Sequence, residues 1–266
     1  MANSALTRLF ISHGGGPLPL LGDPGHRELV ATLQRIAAEL PRPRAIIVAS
    51  AHWEAAQPMV TTHPAPELFY DYHGFPPESY AVRYPAPGHP QLASAVHGAL
   101  EATGFAAMGD AGRGFDHGLF VPLKILYPEA DITCIQLSLL ASMDPQAHLR
   151  MGRALAQLDG EGLLLIGSGS SFHNVQAFFG QQGPELYARN QAFEDWLVDT
   201  LAEAPLSDAE RELRLLQWEK APHARYCHPR EEHLLPLLVC AGVAPGPATR
   251  VWRFGSTGMQ GSCFAW

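Results

Sequence analysis

Short apolar runs alternate with helical patterns along almost the whole chain, and this alternation constrains the fold more than any other feature. Ala45–Ala51 is an apolar run of strand length in which Ser50 is the one polar residue, and Arg27–Leu40 before it repeats leucine and isoleucine at helical spacing. Asp131–Leu139 and Gly162–Ile166 give the strand signal again. Strands buried on both faces of a parallel sheet have such continuous apolar sequences. We therefore predict an α/β fold: a single domain over residues 1–266, with a mostly parallel central sheet flanked by helices on both faces.

The other predicted elements are shorter or less regular. They are the strands Leu9–Ser12, Met59–Thr62 and Arg250–Phe254, and the helices Gln91–Thr103, His117–Leu126, Pro145–Leu158, Glu185–Ala202, Ser207–Lys220 and Glu231–Cys240. Residues 64–90 are rich in proline, glycine and aromatic side chains and show no clean periodicity. A loop of that length inside a compact domain more often binds something than merely connects two elements. We predict a binding loop or lid there.

Composition excludes several classes of partner. The formal net charge is −8, and the 18 lysines and arginines form no basic run, so the sequence predicts no nucleic-acid binding. No apolar run approaches the length of a membrane span, which predicts no membrane association. The 4 cysteines are scattered without a Cys-x-x-Cys pair, which excludes a structural zinc finger and indicates a reduced, cytoplasmic setting. A homo-oligomer remains open.

The chain has 13 histidines, and several of them lie where a predicted strand should end. His13 and His52 each follow such a strand, and His117 and His173 lie in glycine-containing segments of the same character. Ligands of open α/β sheets bind outside the carboxyl ends of the strands. Imidazoles that arrive there from distant parts of the chain, together with His233, indicate a metal centre with acid/base groups beside it.

Each histidine taken alone also has a structural explanation. His13-Gly-Gly-Gly is an oxyanion-hole motif in esterases, but no serine in this chain has the Gly-x-Ser-x-Gly context of a nucleophile, so the esterase interpretation fails. Gly167-Ser-Gly-Ser-Ser before His173 is interpreted as a flexible turn. On the predicted helix, Glu232 and His233 would point about 100° apart, so only one would face a metal. Surface or loop positions are predicted for His26, His63, His73, His89, His97, His148 and His223.

Eight segments, in this order, resemble those of the class III extradiol ring-cleavage dioxygenases, and most closely the DOPA 4,5-dioxygenase-like branch. They span nearly the whole chain, and their collinear order is more specific than any one of them. The segments are Ser12-His-Gly-Gly-Gly-Pro17, Val48-Ala-Ser-Ala-His-Trp53, Asp71-Tyr-His-Gly-Phe-Pro76, Tyr84-Pro-Ala-Pro-Gly88, Gly114-Phe-Asp-His-Gly118, Gln136-Leu-Ser138, Gly167-Ser-Gly169 with His173-Asn174, and Glu232-His-Leu-Leu-Pro-Leu237.

The resemblance implies a role for each of five histidines. His13, His52 and His233 would hold one divalent metal, His173 would be the catalytic acid/base, and His117 would contact the substrate. Relatives that use two histidines and a carboxylate leave Glu232 as a further candidate ligand. The common form of the first segment is His-Gly-Ser-Pro, whereas this chain has His-Gly-Gly-Gly-Pro, and the extra glycine is expected to widen the mouth or shift the pocket wall.

The implied reaction opens the aromatic ring of a small catecholic substrate with O₂. Three protein ligands on one face of the metal leave positions free for the catechol oxygens and O₂. Imidazole ligands suit Fe(II) and Zn(II) alike, but zinc has no redox chemistry, so ring cleavage requires iron. The aromatic side chains of the loop would form the apolar wall around the ring; they are Phe69, Tyr70, Tyr72, Phe75 and Tyr80. Two alternatives share the ligands: a metal- or ligand-binding protein without oxygenase activity, and a metal-assisted hydrolase.

Overall fold

A computed structural model describes residues 6–179 and 183–266, so residues 1–5 of the predicted domain and residues 180–182 lie outside the described ranges. Its strands are β1 Thr7–Ser12, β2 Ala45–Ala55, β3 Met59–Thr61, β4 Met108–Asp110, β5 Thr133–Leu140, β6 Leu163–Gly169, β7 Arg250–Ser256 and β8 Met259–Ala265. They form one sheet of order β4-β3-β5-β2-β6-β1-β8-β7. The neighbouring strands β5, β2, β6 and β1 are mutually parallel, whereas β3 and β8 pair antiparallel with β5 and β1.

Helices cover both faces of this sheet. They are α1 Arg27–Glu39, α2 Pro90–Ala102, α3 His117–Leu126, α4 Pro145–Leu155, α5 Val175–Phe179, α6 Pro184–Val198, α7 Asp208–Leu216, α8 Ala224–Cys227 and α9 Leu235–Gly242. Alternate residues of β2 enter two different cores, because side chains of a strand alternate between the faces of the sheet. Ile46 packs with α1 and α3, and Ile47 packs with α2, α4 and α9. The predicted α/β class with a mostly parallel, doubly covered sheet is confirmed.

Several helix boundaries agree with those predicted from capping residues and hydrophobic periodicity. Helix α7 starts with Ser207 as its N-cap, and Glu210 completes a capping box by accepting from the backbone of Ser207. Helix α3 spans the predicted residues. Within the described ranges, no helix is both long enough and apolar enough to cross a membrane.

Two strands were not predicted. β4 has only three residues, and β8 (Met-Gln-Gly-Ser-Cys-Phe-Ala) mixes glycine and polar residues with apolar ones, so neither has a continuous apolar run. β8 forms a hairpin with β7 through Thr257 and Gly258, whose positive φ angles of 50° and 81° are typical of the tight turn that joins two antiparallel strands.

Candidate active site

The carboxyl ends of β1, β2 and β6 bring distant histidines together. His13 directly follows β1, and its backbone N–H donates to the carbonyl of Gly169 at the end of β6 (3.1 Å). The prediction that β2 ends before His52 is wrong, because β2 continues to Ala55. Its pairing with β5 is irregular between Ala49 and Glu54, and this irregular stretch carries His52 at the edge of the sheet.

His233 reaches the same edge from a turn rather than from a helix. The helix predicted from Glu231 begins only at Leu235, and the preceding residues form a turn in which the N–H groups of Leu234 and Leu235 both donate to the Glu231 carbonyl (2.8 and 3.1 Å). The carbonyl of His233 accepts from the backbone N–H of Ser170 (2.9 Å), which fixes the turn on β6. The helical argument that separated Glu232 from His233 therefore does not apply.

Three imidazoles converge on one point. The Nε2 atoms of His13 and His52 are 3.0 Å apart, and His233 offers a nitrogen such that the three ligand atoms lie within 4.8 Å of one another. His13 and His233 are buried, and His52 is partly exposed. Nitrogens bound about 2.1 Å from one ion at near right angles are about 3.0 Å apart, so this separation fits two neighbouring ligands of one metal.

Hydrogen bonds at Nδ1 leave the Nε2 atoms of His13 and His233 as bare lone pairs. The hydroxyl of Ser168 donates to the Gly118 carbonyl, so it accepts from His13 Nδ1–H (3.0 Å). His233 Nδ1–H donates to Glu232 Oε1 (2.9 Å). Metal-bound histidines are oriented in this way by an acceptor at the other ring nitrogen. With a lone pair on His13 Nε2 and a second imidazole nitrogen 3.0 Å away on His52, a divalent cation could bind both atoms once His52 Nε2 carries no proton.

The three imidazoles do not take up an additional proton at the point where they converge. Burial lowers the pKa of His13 and of His52 well below the ordinary histidine value, and neighbouring imidazoles lower both further. Burial and the neighbouring His173 lower the pKa of His233 to about 3. The three imidazoles are therefore neutral at physiological pH, and neutral imidazole is the form that binds metals. The donor set fits a divalent metal ion.

The other two histidines flank this cluster as ring-to-ring neighbours. The ring of His173 stacks on that of His233 with centroids 3.4 Å apart and 14° between the planes. The ring of His117 lies 3.9 Å from that of His52. All five predicted site histidines are thus brought into one cluster.

The carboxylate of Glu232 contacts both His173 and His233. Glu232 Oε1 accepts from His233 and lies 3.3 Å from His173 Nδ1. Burial raises the pKa of Glu232, but hydrogen bonds from the two histidines outweigh it and hold the pKa well below its usual range. Because Glu232 is the shared acceptor of two Nδ1–H groups, its oxygen faces the outer nitrogens of the cluster rather than the point where the Nε2 atoms converge.

Of the two effects expected of the triple glycine, a wider mouth or a shifted pocket wall, the packing around the turn agrees with the second. Gly14 and Gly16 have φ angles of +82° and +56°, which favour glycine, and side chains pack directly onto the turn. A Cβ at Gly14 would lie 2.5 Å from Pro19, and one at Gly16 would lie 3.0 Å from the ring of Phe75. The glycines let the aromatic loop approach the end of β1.

Two of the histidines predicted at surface or loop positions, His26 and His148, are buried. His26 is 2% exposed; it accepts from the backbone N–H of Gly15 (3.0 Å) through Nε2 and contacts Asp23 through Nδ1 (2.7 Å). His148 is fully buried and accepts from the Leu140 backbone (3.1 Å). Both histidines stabilise neighbouring backbone segments by accepting hydrogen bonds. The spacing of residues in the sequence does not reveal such contacts.

The prediction of a flexible turn at Gly167-Ser-Gly is also wrong, because Gly167–Gly169 is the end of β6. These glycines allow close packing. A Cβ on Gly169 would overlap the carbonyl of His233, and one on Gly167 would overlap the carbonyl of Pro236. The His233 turn can therefore lie directly on the strand.

Gly169→Ala is expected to lower both stability and metal content. The new methyl group overlaps backbone atoms, so the His233 turn must move, at a typical overpacking cost of about 1–3 kcal/mol. Urea denaturation and metal analysis of the purified variant measure the two effects. Gly98→Ala in α2 is the control, because a Cβ there meets none of the described atoms within 4 Å outside its own helix backbone. It should gain about 1 kcal/mol from helix propensity and keep its metal. A Gly169→Ala protein with unchanged stability and metal content would contradict the packing argument.

Residues 11–264 match the protein family described as the catalytic LigB subunit of aromatic ring-opening dioxygenase. The chain belongs to this family. Dioxygenase tasH of Hapsidospora irregularis is 45% identical over 257 residues, which cover 89% of this chain and 77% of that protein. A 4,5-DOPA dioxygenase extradiol of Beta vulgaris is 38% identical over 239 residues, covering 88% of this chain and 85% of that protein.

A solved structure shares the fold of this chain. The crystal structure of an uncharacterized protein from Escherichia coli K12 matches with a TM-score of 0.75 at 29% identity, and the match covers 98% of this chain and 99% of that one. The recognised family is confirmed, and the protein is an extradiol-type ring-cleavage dioxygenase. This chain thus carries a histidine-rich potential metal site at the carboxyl edge of its sheet.

Proposed function

We propose that the protein binds one Fe(II) ion through His13, His52 and His233 and cleaves the ring of a small catechol with O₂. The observation that carries this proposal is the convergence of three neutral imidazoles, two of them with Nε2 atoms 3.0 Å apart. Three ligands on one side of an ion are the pattern of non-haem Fe(II) oxygenases. The named 4,5-DOPA dioxygenases among the relatives support a catecholic substrate.

When bound, the metal would supply open positions for two catechol oxygens and O₂, together with the redox chemistry of ring opening. The protein's own contribution is proton transfer and orientation. His173 is proposed as the acid/base: with Nδ1 directed at Glu232 Oε1, its Nε2 is free to accept a proton from a substrate hydroxyl and to return it later. Stacking on His233 fixes the ring of His173 beside the reacting atoms.

His117 is proposed to contact the substrate from the opposite side. Its Nδ1–H donates to Asp71 Oδ1 (2.8 Å), so Nε2 accepts from a substrate hydroxyl. Tyr72 packs edge-on against the ring of His117, with centroids 5.7 Å apart, and Tyr80 packs against Tyr72. These rings form an apolar wall that suits a flat aromatic substrate and excludes water from it.

Anaerobic reconstitution followed by air tests the proposed function. The protein should bind about one equivalent of Fe(II), consume one O₂ per catechol, and release a ring-opened semialdehyde with visible absorption. Chelation should abolish the reaction, Fe(II) should restore it, and Zn(II) should bind without restoring it, because zinc has no redox chemistry. A panel of catechols that differ in their side chain would identify the substrate class.

Other outcomes would contradict the proposal. Stoichiometric Fe(II) without O₂ uptake on any catechol would favour the binding-protein alternative. Activity of the Zn(II) form on an ester or amide would favour the hydrolase alternative. The cytoplasmic setting stays a proposal; it is supported by the free, buried state of Cys134, Cys227, Cys240 and Cys263.

A further inference from the structure

Asp71 connects the aromatic loop to the histidine cluster. It lies on the long loop between β3 and α2, and its side chain is 10% exposed. Its Oδ1 accepts from His117 twice, from the ring Nδ1–H (2.8 Å) and from the backbone N–H (3.0 Å). Its Oδ2 is 3.5 Å from His52 Nδ1. One carboxylate therefore faces the outer nitrogens of two neighbouring imidazoles.

This arrangement fixes both the orientation and the tautomer of His117. A ring held only at one nitrogen can still rotate about its χ angles, but an acceptor that also holds the backbone N–H of the same residue limits that rotation. The Asp71 carboxylate accepts both of these hydrogen bonds at Oδ1. An ionised carboxylate accepts and never donates, so it selects the Nδ1–H form of the ring.

The same carboxylate also sets the distance between the loop and the cluster. Tyr72 follows Asp71 directly, and its ring packs against His117. Phe75, four residues beyond Asp71, lies on Gly16 beside His13. Because Asp71 anchors the loop next to these contacts, the rings of Tyr72 and Phe75 keep a fixed position relative to the ring of His117.

A second carboxylate makes the same kind of contact on the other side. Glu232 bridges the outer nitrogens of His173 and His233, as Asp71 bridges those of His117 and His52. In each pair, one histidine belongs to the proposed metal set and the other does not. The two contacts differ in origin, because Glu232 adjoins His233 in the chain, whereas Asp71 comes from a separate loop.

We infer that Asp71 is a positioning residue, which acts through His117 by holding its Nε2 toward the substrate and by fixing the aromatic loop beside it. The catalytic part of this inference rests on the proposed function. The geometric part does not, because the tautomer of His117 and the anchoring of the loop exist in the absence of substrate.

A double-mutant cycle tests the route of action. Asp71→Ala is expected to lower kcat/KM by about 10- to 100-fold, as the loss of such an outer partner typically does, while Fe(II) binding stays at one equivalent. Asp71→Asn keeps an oxygen acceptor and should lose less than Asp71→Ala. In a His117→Ala background both substitutions should cost clearly less than in the wild type, because the ring contact is gone and only the contacts of Asp71 with the backbone N–H of residue 117 and with His52 remain. Equal losses in both backgrounds would overturn the inference and indicate a merely structural role.

Nitrogen NMR of the zinc-loaded, histidine-labelled protein supplies a readout without turnover. The His117 ring signals, assigned by their absence in His117→Ala, should report the Nδ1–H tautomer in the wild type and in Asp71→Asn. In Asp71→Ala they should shift toward the Nε2–H form or an average of the two. An unchanged tautomer in Asp71→Ala would overturn the inference.

Asp131→Asn is the matched control. Asp131 is an exposed aspartate that pairs with Arg42 on the surface, so the same chemical change there should leave kcat/KM and the His117 signals within error of the wild type. Failure of the proposed function is distinguishable, because an absence of ring cleavage in the wild type leaves the NMR comparison intact.

Discussion

His52→Ala is expected to abolish metal binding and ring cleavage together. His52 supplies one of two Nε2 atoms that are only 3.0 Å apart, and without it two imidazoles remain of a three-ligand set. Loss of an outer-shell partner costs about 10- to 100-fold in metal affinity, so loss of a direct ligand should cost more. Metal analysis after dialysis should fall from about one equivalent to near zero, and O₂ uptake with catechol should fall below detection.

His52 is the most informative ligand to remove. Its side chain is 24% exposed, whereas that of His13 is buried against Ser168, so alanine at position 52 leaves the smaller internal cavity. His97→Ala is the control; this partly exposed histidine of α2 pairs only with Glu101 at 3.4 Å among its described ion-pair partners. It should keep full metal content. Full occupancy in His52→Ala would remove this histidine from the metal set.

The histidine positions could be predicted because strand ends are readable in a sequence. A doubly buried strand has an apolar run, and the polar residue that follows it lies at the carboxyl edge of the sheet. His13 fits this rule directly, and His52 fits it approximately, since β2 passes through the site with an irregular pairing. The order of the matching segments along the chain gave the remaining assignments, because only the family resemblance joins the five histidines into one predicted site.

The residues that hydrogen-bond to the site histidines and so form a supporting shell, such as Asp71 and Ser168, could not be predicted in the same way. Asp71 is separated from His117 by 46 residues, and Ser168 is separated from His13 by 155. Such pairs depend on tertiary packing, and neither residue type is rare enough to be noticed alone. The glycines show the same limit: the run of three left a wider mouth and a shifted pocket wall both open, and only the packing of Pro19 and Phe75 on the turn distinguishes them.

The arrangement of charge explains why a supporting shell is needed. Burial, and after it the neighbouring imidazoles, lower the pKa values of His13 and His52. The carboxylates Asp71 and Glu232 approach the cluster only from its outer nitrogens. Negative charge at the rim and lone pairs at the centre together favour a cation in the middle, and they leave the flanking rings free at Nε2.

His173→Ala is the second large effect that we expect, and it should separate catalysis from metal binding. Only the proposed acid/base is removed, so kcat should fall by about 10²- to 10⁴-fold, the range of general acid–base catalysis. Metal content should stay close to one equivalent, because His13, His52 and His233 keep their own partners, and Glu232 still accepts from His233 Nδ1–H. Single-turnover kinetics with anaerobically bound catechol should show a slow chemical step after normal binding.

Rescue distinguishes proton transfer from a packing role of His173. The ring of His173 stacks on His233, so alanine leaves a space of imidazole size beside the proposed ligand. Added imidazole should therefore restore part of the lost rate in His173→Ala, with a dependence on its concentration and its unprotonated fraction. His173→Phe refills the stacking position without a titratable nitrogen; it should bind metal like the wild type, remain slow, and resist rescue. Near-normal turnover in His173→Phe would mean that stacking, not proton transfer, is what this residue contributes.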